Sequence, residues 1–333
     1  MILSARACRT RGNPSLAPPA SRTAAGLPPA AGLIPGCRGG YRLFRRPAVG
    51  WRAMLGRRLC ALFAAAASAV LAAPPGERWA PAYSQASILN LASGLPELAP
   101  NTLAVIYGQD LSPIAASRIE AAPNAAILPT TLPGTGVTVK VNGILAAIEY
   151  ASPQAVVFIV PPEFVAGTVS VVLTRNGVNG PTVRVPLQDH APGLLPLEST
   201  WALARDAQTL DWRHADSPAA PGDEIVLYGT GWGQTLRRAV NLQPASQRTE
   251  LRAREAVSVY LDGAEAPRDH ILYAGASPGT AAIYELRFRL PAWTPADPEI
   301  RIAINGRLSQ EGLRLRVDPT RAQPAEARAR STQ

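Results

Sequence analysis

The chain has 333 residues, 47% of them apolar and 6% aromatic, which is enough for two ordinary domains with modest cores. Its formal charge of +9 is unevenly placed, because all 24 acidic residues lie at or after Glu77 while 11 of the 33 basic ones precede it. From Glu77 onward the balance is 22 basic against 24 acidic residues with Lys140 as the single lysine, so the basic face that nucleic acid requires is missing and that partner is excluded.

Residues 1–53 hold no acid and are rich in Arg, Pro, Ala and Gly without a sustained apolar period, a composition that cannot build a core. They read as a disordered leader or as a mis-assigned start, with translation beginning at Met54. MLGRRLCALFAAAASAVLAAPPG, from Met54, has a short basic start (Arg57, Arg58), an apolar run and small residues suited to cleavage after Ala72 or Ala73. Residues 54–73 are therefore expected to be a secretory signal peptide, too short for a membrane-spanning helix and followed by Pro74-Pro75. The signal peptide is the only expected membrane contact. Cys8, Cys37 and Cys60 all precede the cleavage site, so the expected mature chain has neither disulfides nor a thiol nucleophile.

The first landmark beyond the leader is APNTLAVIYGQDLS, with Pro100 and Gly108. VTVKVNGILAAIEYASP follows from Val137, and VSVVLTRNG from Val169. Val137, Val139 and Val141 alternate with polar residues, the period of a strand with one face buried, and Asn142-Gly143 supplies the two positive-φ residues of a tight hairpin turn. SRIEAAPNAAI (Ser117 to Ile127) is the best helical candidate, and Pro123 breaks it. The same phrases then recur. APGDEIVLYGTGWGQT carries Pro221 and Gly229 with the same internal spacing, VSVYLDGAEAP repeats the hairpin at Asp262-Gly263, and IRIAINGRL (Ile300 to Leu308) answers the second hairpin.

The expected fold is all-β: two tandem immunoglobulin-like β-sandwich domains, residues 86–190 and 191–318, with a flexible tail over 319–333. APGLL (Ala191 to Leu195), ALARDAQTLDWRHADSPAAPGDEIVLYGTGWGQT (Ala202 to Thr235), the Asp262-Gly263 hairpin and ILYAGASPG together resemble an uncharacterised C-terminal domain family of secreted and surface proteins of soil bacteria. More distantly, the opening G-strand-G-x-G is similar to IPT/TIG immunoglobulin-like domains. The resemblance covers residues 86–318 and implies a pair of immunoglobulin-like sandwiches. The chain departs from the family at Asp206-Ala207-Gln208, where the family has Gly in the turn, and at Asp211-Trp212, where it has an Asn-rich strand end. It departs again after Gln154, which leads into AVVFIVP, and at Trp232, where the family carries an aliphatic residue.

Catalytic chemistry finds little support. GASPG (Gly275 to Gly279) matches the nucleophile elbow G-x-S-x-G, but Pro278 disfavours the helix that must follow the serine, and no histidine lies beyond His270. His190, His214 and His270 lack metal-ligand spacing, and Asp206, Asp211, Asp216, Asp223 and Glu224 form no calcium loop and read as solvated linker surface. No catalytic residue, metal or cofactor is expected. Among the tryptophans of the second unit, Trp232 reads as structural, while Trp212, beside Arg213 in a polar run, is the exposed indole suited to stacking on a sugar ring. The expectation is an exported, non-enzymatic binding or adhesion module with Trp212 and Arg213 at its ligand site, acting on an extracellular or envelope polysaccharide or protein. The alternatives are an accessory pair of a hydrolase or glycan-processing system, with a site at the junction near residues 190–223, and a pure spacer.

Overall fold

The structure is a computed structural model that describes residues 80–121, 126–197 and 200–321. The expectations for the leader (1–53), the signal peptide (54–73) and most of the tail lie outside these residues. The described chain is all-β.

In the first half the strands are β1 (Ile88–Asn90), β2 (Leu103–Tyr107), β3 (Ala116–Ser117), β4 (Val137–Val141), β5 (Ile144–Leu145), β6 (Ile148–Ala151), β7 (Ala155–Ile159), β8 (Gly167–Arg175), β9 (Val178–Asn179) and β10 (Val183–Leu187). They form two antiparallel sheets, β1-β2-β7-β6-β3 and β10-β8-β4-β5, with β9 paired to β8. Ile88, Ile106, Ile148 and Phe158 of one sheet meet Val139, Val141, Val171 and Leu173 of the other in a single buried cluster. Full burial of each such side chain contributes about 1.5–3 kcal/mol, so the strict alternation of Val137, Val139 and Val141 is enough to set which face of β4 turns inward. The helical candidate amounts to one turn, α1 (Arg118–Ala121).

The second half contributes β11 (Gly193–Leu194), β12 (Ala204–Asp206), β13 (Glu224–Thr230), β14 (Thr249–Glu250), β15 (Val257–Leu261), β16 (Ala264–Glu265), β17 (Ile271–Ala276), β18 (Tyr284–Arg289), β19 (Ile300–Ile304) and β20 (Arg307–Leu308). Their sheets run β11-β13-β18-β17-β14, with β12 also on β13, and β16-β15-β19-β20. Ile225, Leu227, Leu286 and Phe288 pack against Val257, Val259, Ile300 and Ile302 in a second buried cluster.

Corresponding turns of the two sandwiches use the same chemistry. Asn142, Asn176, Asp262 and Asn305 all lie at φ between 44° and 49° and each precedes a positive-φ glycine. The side chains at two of these turns also bind the neighbouring strand. Asn142 Oδ1 accepts the Ser170 N–H at 2.7 Å, and Asp262 Oδ1 accepts the Glu299 N–H at 2.7 Å. A second shared device is the glycine closing β2 and β13. A Cβ on Gly108 would stand 2.3 Å from the Ala82 carbonyl oxygen, and one on Gly229 2.3 Å from that of Gly193, so in each sandwich only glycine admits the segment crossing there.

All described residues fall in one contact unit, and the two sandwiches meet over a polar seam whose groups satisfy one another. The Thr230 hydroxyl accepts the Leu103 N–H (2.8 Å) and donates to the Ala282 carbonyl (2.6 Å), while the buried Asn90 Nδ2 donates to Ala191 O at 2.9 Å. Tyr284 donates to Gly233 O at 2.6 Å and accepts from Asn101 Nδ2 at 3.0 Å. Leu242 adds an apolar contact by packing with Leu128, Ala147 and Ile159 from the first half and Ala282 from the second.

Candidate functional site

Alternation along β13 places Ile225 and Leu227 in the core and turns Val226 and Tyr228 to the outer face of the sheet. The neighbouring strand β18 likewise buries Leu286 and Phe288 and presents Glu285, Arg287 and Arg289. This outer face, extended by the segment after β12, carries the candidate site.

Residues 204–213 form a hairpin against β13, closed by Asp206 N–H to Asp211 O (2.8 Å) and Arg213 N–H to Ala204 O (2.9 Å). Its tip is capped by Asp206, whose Oδ1 accepts the N–H groups of Gln208 (2.7 Å) and Thr209 (2.8 Å). Leu210 adopts φ 67°, a left-handed conformation that costs a bulky residue about 1–2 kcal/mol. The hairpin sets Trp212 opposite Arg205 and over Tyr228, with ring centroids 6.0 Å apart at 58°. The Arg205 guanidinium lies over the same tyrosine at 5.2 Å. Trp212 is 46% exposed, whereas Tyr228 beneath it is buried, so the indole is both presented and supported.

Arg213 turns the other way. Its guanidinium is bound by Asp206 and lies 3.5 Å from Asp223, and its side chain is almost covered, so its charge is spent on holding the hairpin. Burial works to raise the Asp206 pKa, but the two backbone N–H groups and the Arg213 charge outweigh it and hold the carboxyl below its ordinary value. Glu224 behaves alike: burial raises it, and the bond from Arg289 with the Arg287 charge brings it below the usual range. Asp206, Asp223 and Glu224 thus serve as ion-pair partners of arginines, and the reading of the stretch as solvated linker surface is corrected for these three, whose pairing is spatial.

Farther across the same face Glu285 is buried beneath Arg248, whose Nε donates to it at 2.6 Å, and Ser277 donates to its other oxygen at 3.2 Å. Ser277, the serine of GASPG, therefore lies in a strand-to-strand turn and bonds a carboxylate, with no imidazole in the arrangement. Arg248 also stands over the Tyr273 ring at 5.8 Å. Burial pushes the Tyr273 hydroxyl up to about 12, opposed by its bond with the Thr249 N–H.

The four tryptophans of the second half divide by role. Trp232 is buried and stacked on Tyr284 at 5.6 Å, as its reading as a structural residue expected. Trp201 is half-covered, with the Arg316 guanidinium over its ring. Trp212 and Trp293 are the exposed ones. Sequence reasoning missed Arg205 and Tyr228 as companions of Trp212, and Arg248 with Tyr273 farther across the face. For Tyr228 the signal was present, since it stands out of phase with Ile225 and Leu227.

His190, at the start of the 190–223 stretch, is held on both sides of its ring. His190 Nδ1 donates to Trp232 O at 2.9 Å while its Nε2 accepts from Asn305 Nδ2 at 2.8 Å, which fixes the tautomer. The three glycines of YGTGWGQ admit this contact, and a Cβ on Gly231 would lie 2.2 Å from Ala191 O.

No family model and no curated protein matches the sequence. Among solved structures the chain is similar to the surface glycan-binding protein PbSGBP-B from Prevotella bryantii, at 10% identity over 71% of this chain and 42% of that chain, with a TM-score of 0.23. It is also similar to SGBP-B of the mixed-linkage glucan utilization locus of Bacteroides ovatus, at 11% identity over 67% and 42%, with a TM-score of 0.27. Domains 5-6 of the S-layer protein SbsC give 8% identity over 72% and 99%, with a TM-score of 0.22. The chain spans 42% of the length of each of the two glycan-binding proteins.

Proposed function

We propose that the protein is an exported, non-enzymatic binding module, two duplicated sandwiches over residues 86–190 and 191–318, that engages an envelope or extracellular polysaccharide through the outer face of the second sandwich. The observation that carries this is Trp212, an exposed indole seated on Tyr228 beside the Arg205 guanidinium on a sheet-backed hairpin. A flat, pre-positioned aromatic stacks on the C–H face of a sugar ring at little cost in conformational entropy, while guanidinium groups beside it donate to ring hydroxyls.

Of the two partner classes, polysaccharide is favoured over a protein docking by strand addition. Six of the eight described sheet edges, β3, β5, β11, β14, β16 and β20, are two residues long and β1 is three, and short edges give an added strand few main-chain partners; β10, with five residues, is the one longer edge among the described residues. In this proposal Arg213 acts by holding the hairpin that presents Trp212.

Affinity electrophoresis of the purified protein through gels containing soluble polysaccharides tests the proposal. Retardation by at least one glycan is expected, weakened tenfold or more by Trp212→Ala, with thermal stability altered by less than about 1 kcal/mol because the indole is exposed. Retardation that Trp212→Ala leaves intact removes the indole from the site, and turnover of a chromogenic glycoside or ester panel overturns the non-enzymatic reading.

A further inference from the structure

A cavity of about 230 Å³ opens beside the seam, between the loop of residues 235–249 and the turn of residues 276–283, with Asn101 of the first sandwich at its rim. Arg237 and Arg238 line it, both exposed, and neither forms an ion pair among the described residues. Its lining contains no aspartate, glutamate or histidine, although from Glu77 onward acidic residues outnumber basic ones. Two unneutralised guanidinium groups in a concave, acid-free setting make a site for an anion.

The remainder of the lining narrows the ligand. Gln243, Gln247 and Thr280 offer neutral hydrogen-bonding groups, and Val240, Ala281 and Ile283 offer apolar surface. That mixture suits a ring bearing hydroxyls on an aliphatic frame. No aromatic side chain is present to stack a nucleobase, and the volume lies below the roughly 300–1,000 Å³ that drug-sized ligands occupy, so it fits a single ring.

Backbone strain marks the same place. Ten described non-glycine residues have positive φ, and seven are Asn or Asp, which tolerate it. The other three are Leu210, Leu242 and Ala282. Ala282 lines the cavity, and Leu242 immediately precedes its lining residue Gln243. Leu242 is locked by the Leu128 N–H to Leu242 O bond at 2.8 Å, and the rim by Ala245 N–H to Thr280 O at 2.7 Å. Strain of about 1–3 kcal/mol per residue, held by surrounding bonds, concentrates where a loop must keep a shape for a ligand.

We infer that this cavity binds the carboxylate-bearing ring of an acidic sugar, so that the polymer recognised is a polyuronate-type acidic polysaccharide. This rests on the reading of the second sandwich as a glycan-binding module and sharpens its ligand class. Arg248, which stands over Tyr273 on the outer face, lies in sequence between the cavity residues Gln247 and Thr249.

Calorimetric titration of the whole protein with an oligogalacturonate, the neutral galactose oligomer of equal length, and inorganic phosphate tests it. The uronate oligomer is expected to bind at least tenfold tighter than the neutral one. This preference should be lost in the double variant Arg237→Ala/Arg238→Ala and reduced at high salt, with both variant sites exposed and the melting temperature unchanged. Equal binding of the two oligomers, each weakened by Trp212→Ala, overturns the acidic-sugar inference and leaves the glycan module standing. Binding of neither oligomer, here and across a wider glycan panel, sinks both readings. Phosphate competing as well as the uronate reduces the cavity to a general anion site and likewise overturns the inference.

Discussion

Asp206 joins several of the interactions that present Trp212. One oxygen caps the hairpin tip and the other meets Arg213, so the residue stabilises both the turn and the charge buried behind it. Because its folded pKa, like that of Glu224, is depressed, the stability it contributes is present above the unfolded carboxylate value near 4 and is lost as pH falls through the folded value. Melting temperature is therefore expected to be flat from neutral pH down to about 5 and to fall below about 4. Asp206→Asn should remove about 1–3 kcal/mol at neutral pH and flatten part of the acid decline, read by thermal unfolding across the pH range. A variant whose acid decline matches that of the native protein would take the ion pair out of the stability account.

At the scale of the element, the crossing glycines matter more than their small size suggests. Gly229→Ala places a Cβ 2.3 Å from a main-chain oxygen that belongs to a paired strand, so the backbone itself must shift. A loss of more than about 2 kcal/mol is expected, read as a lower urea midpoint with unchanged slope, and Gly108→Ala should behave in the same way in the first sandwich. Such glycines, with the Asn-Gly and Asp-Gly turns, explain why strands were legible in the sequence: alternation and turn chemistry are local, and β4, β8, β15 and β19 follow from them. The site was legible only in its exposed member. Trp212 stands in a polar run that marks it as exposed, but the Arg213–Asp206–Asp223 clamp joins residues that only the hairpin and β13 bring together. Glu285 meets Arg248 across a sheet, a relation no local pattern encodes. The cavity was not legible: the adjacent Arg237 and Arg238 read as solvated surface, and the turn of residues 276–283 and Asn101 reach them from elsewhere in the chain.

For the molecule as a whole, the seam decides whether the sandwiches act separately. Thr230 uses one hydroxyl to satisfy an N–H from the first sandwich and a carbonyl in the second, both otherwise unpaid in a buried setting. Thr230→Val keeps the shape and orphans both groups, and a cost of about 1–3 kcal/mol is expected. In the native protein, calorimetry should show a single cooperative transition, and in Thr230→Val a lower and broader one. Two well-separated transitions in the native protein would mean that the seam does not couple the units.

The loop carrying Leu242 reaches a hollow floored by Ala147 and Ile159, near the middle of the chain. Neither half is then at liberty to drift alone. A bulkier side chain at Ala147 would be felt first as a displaced rim around Arg237 and Arg238, so what these guanidiniums select is partly written in the hydrophobic residues of the opposite sandwich, and related chains should vary at these positions in concert.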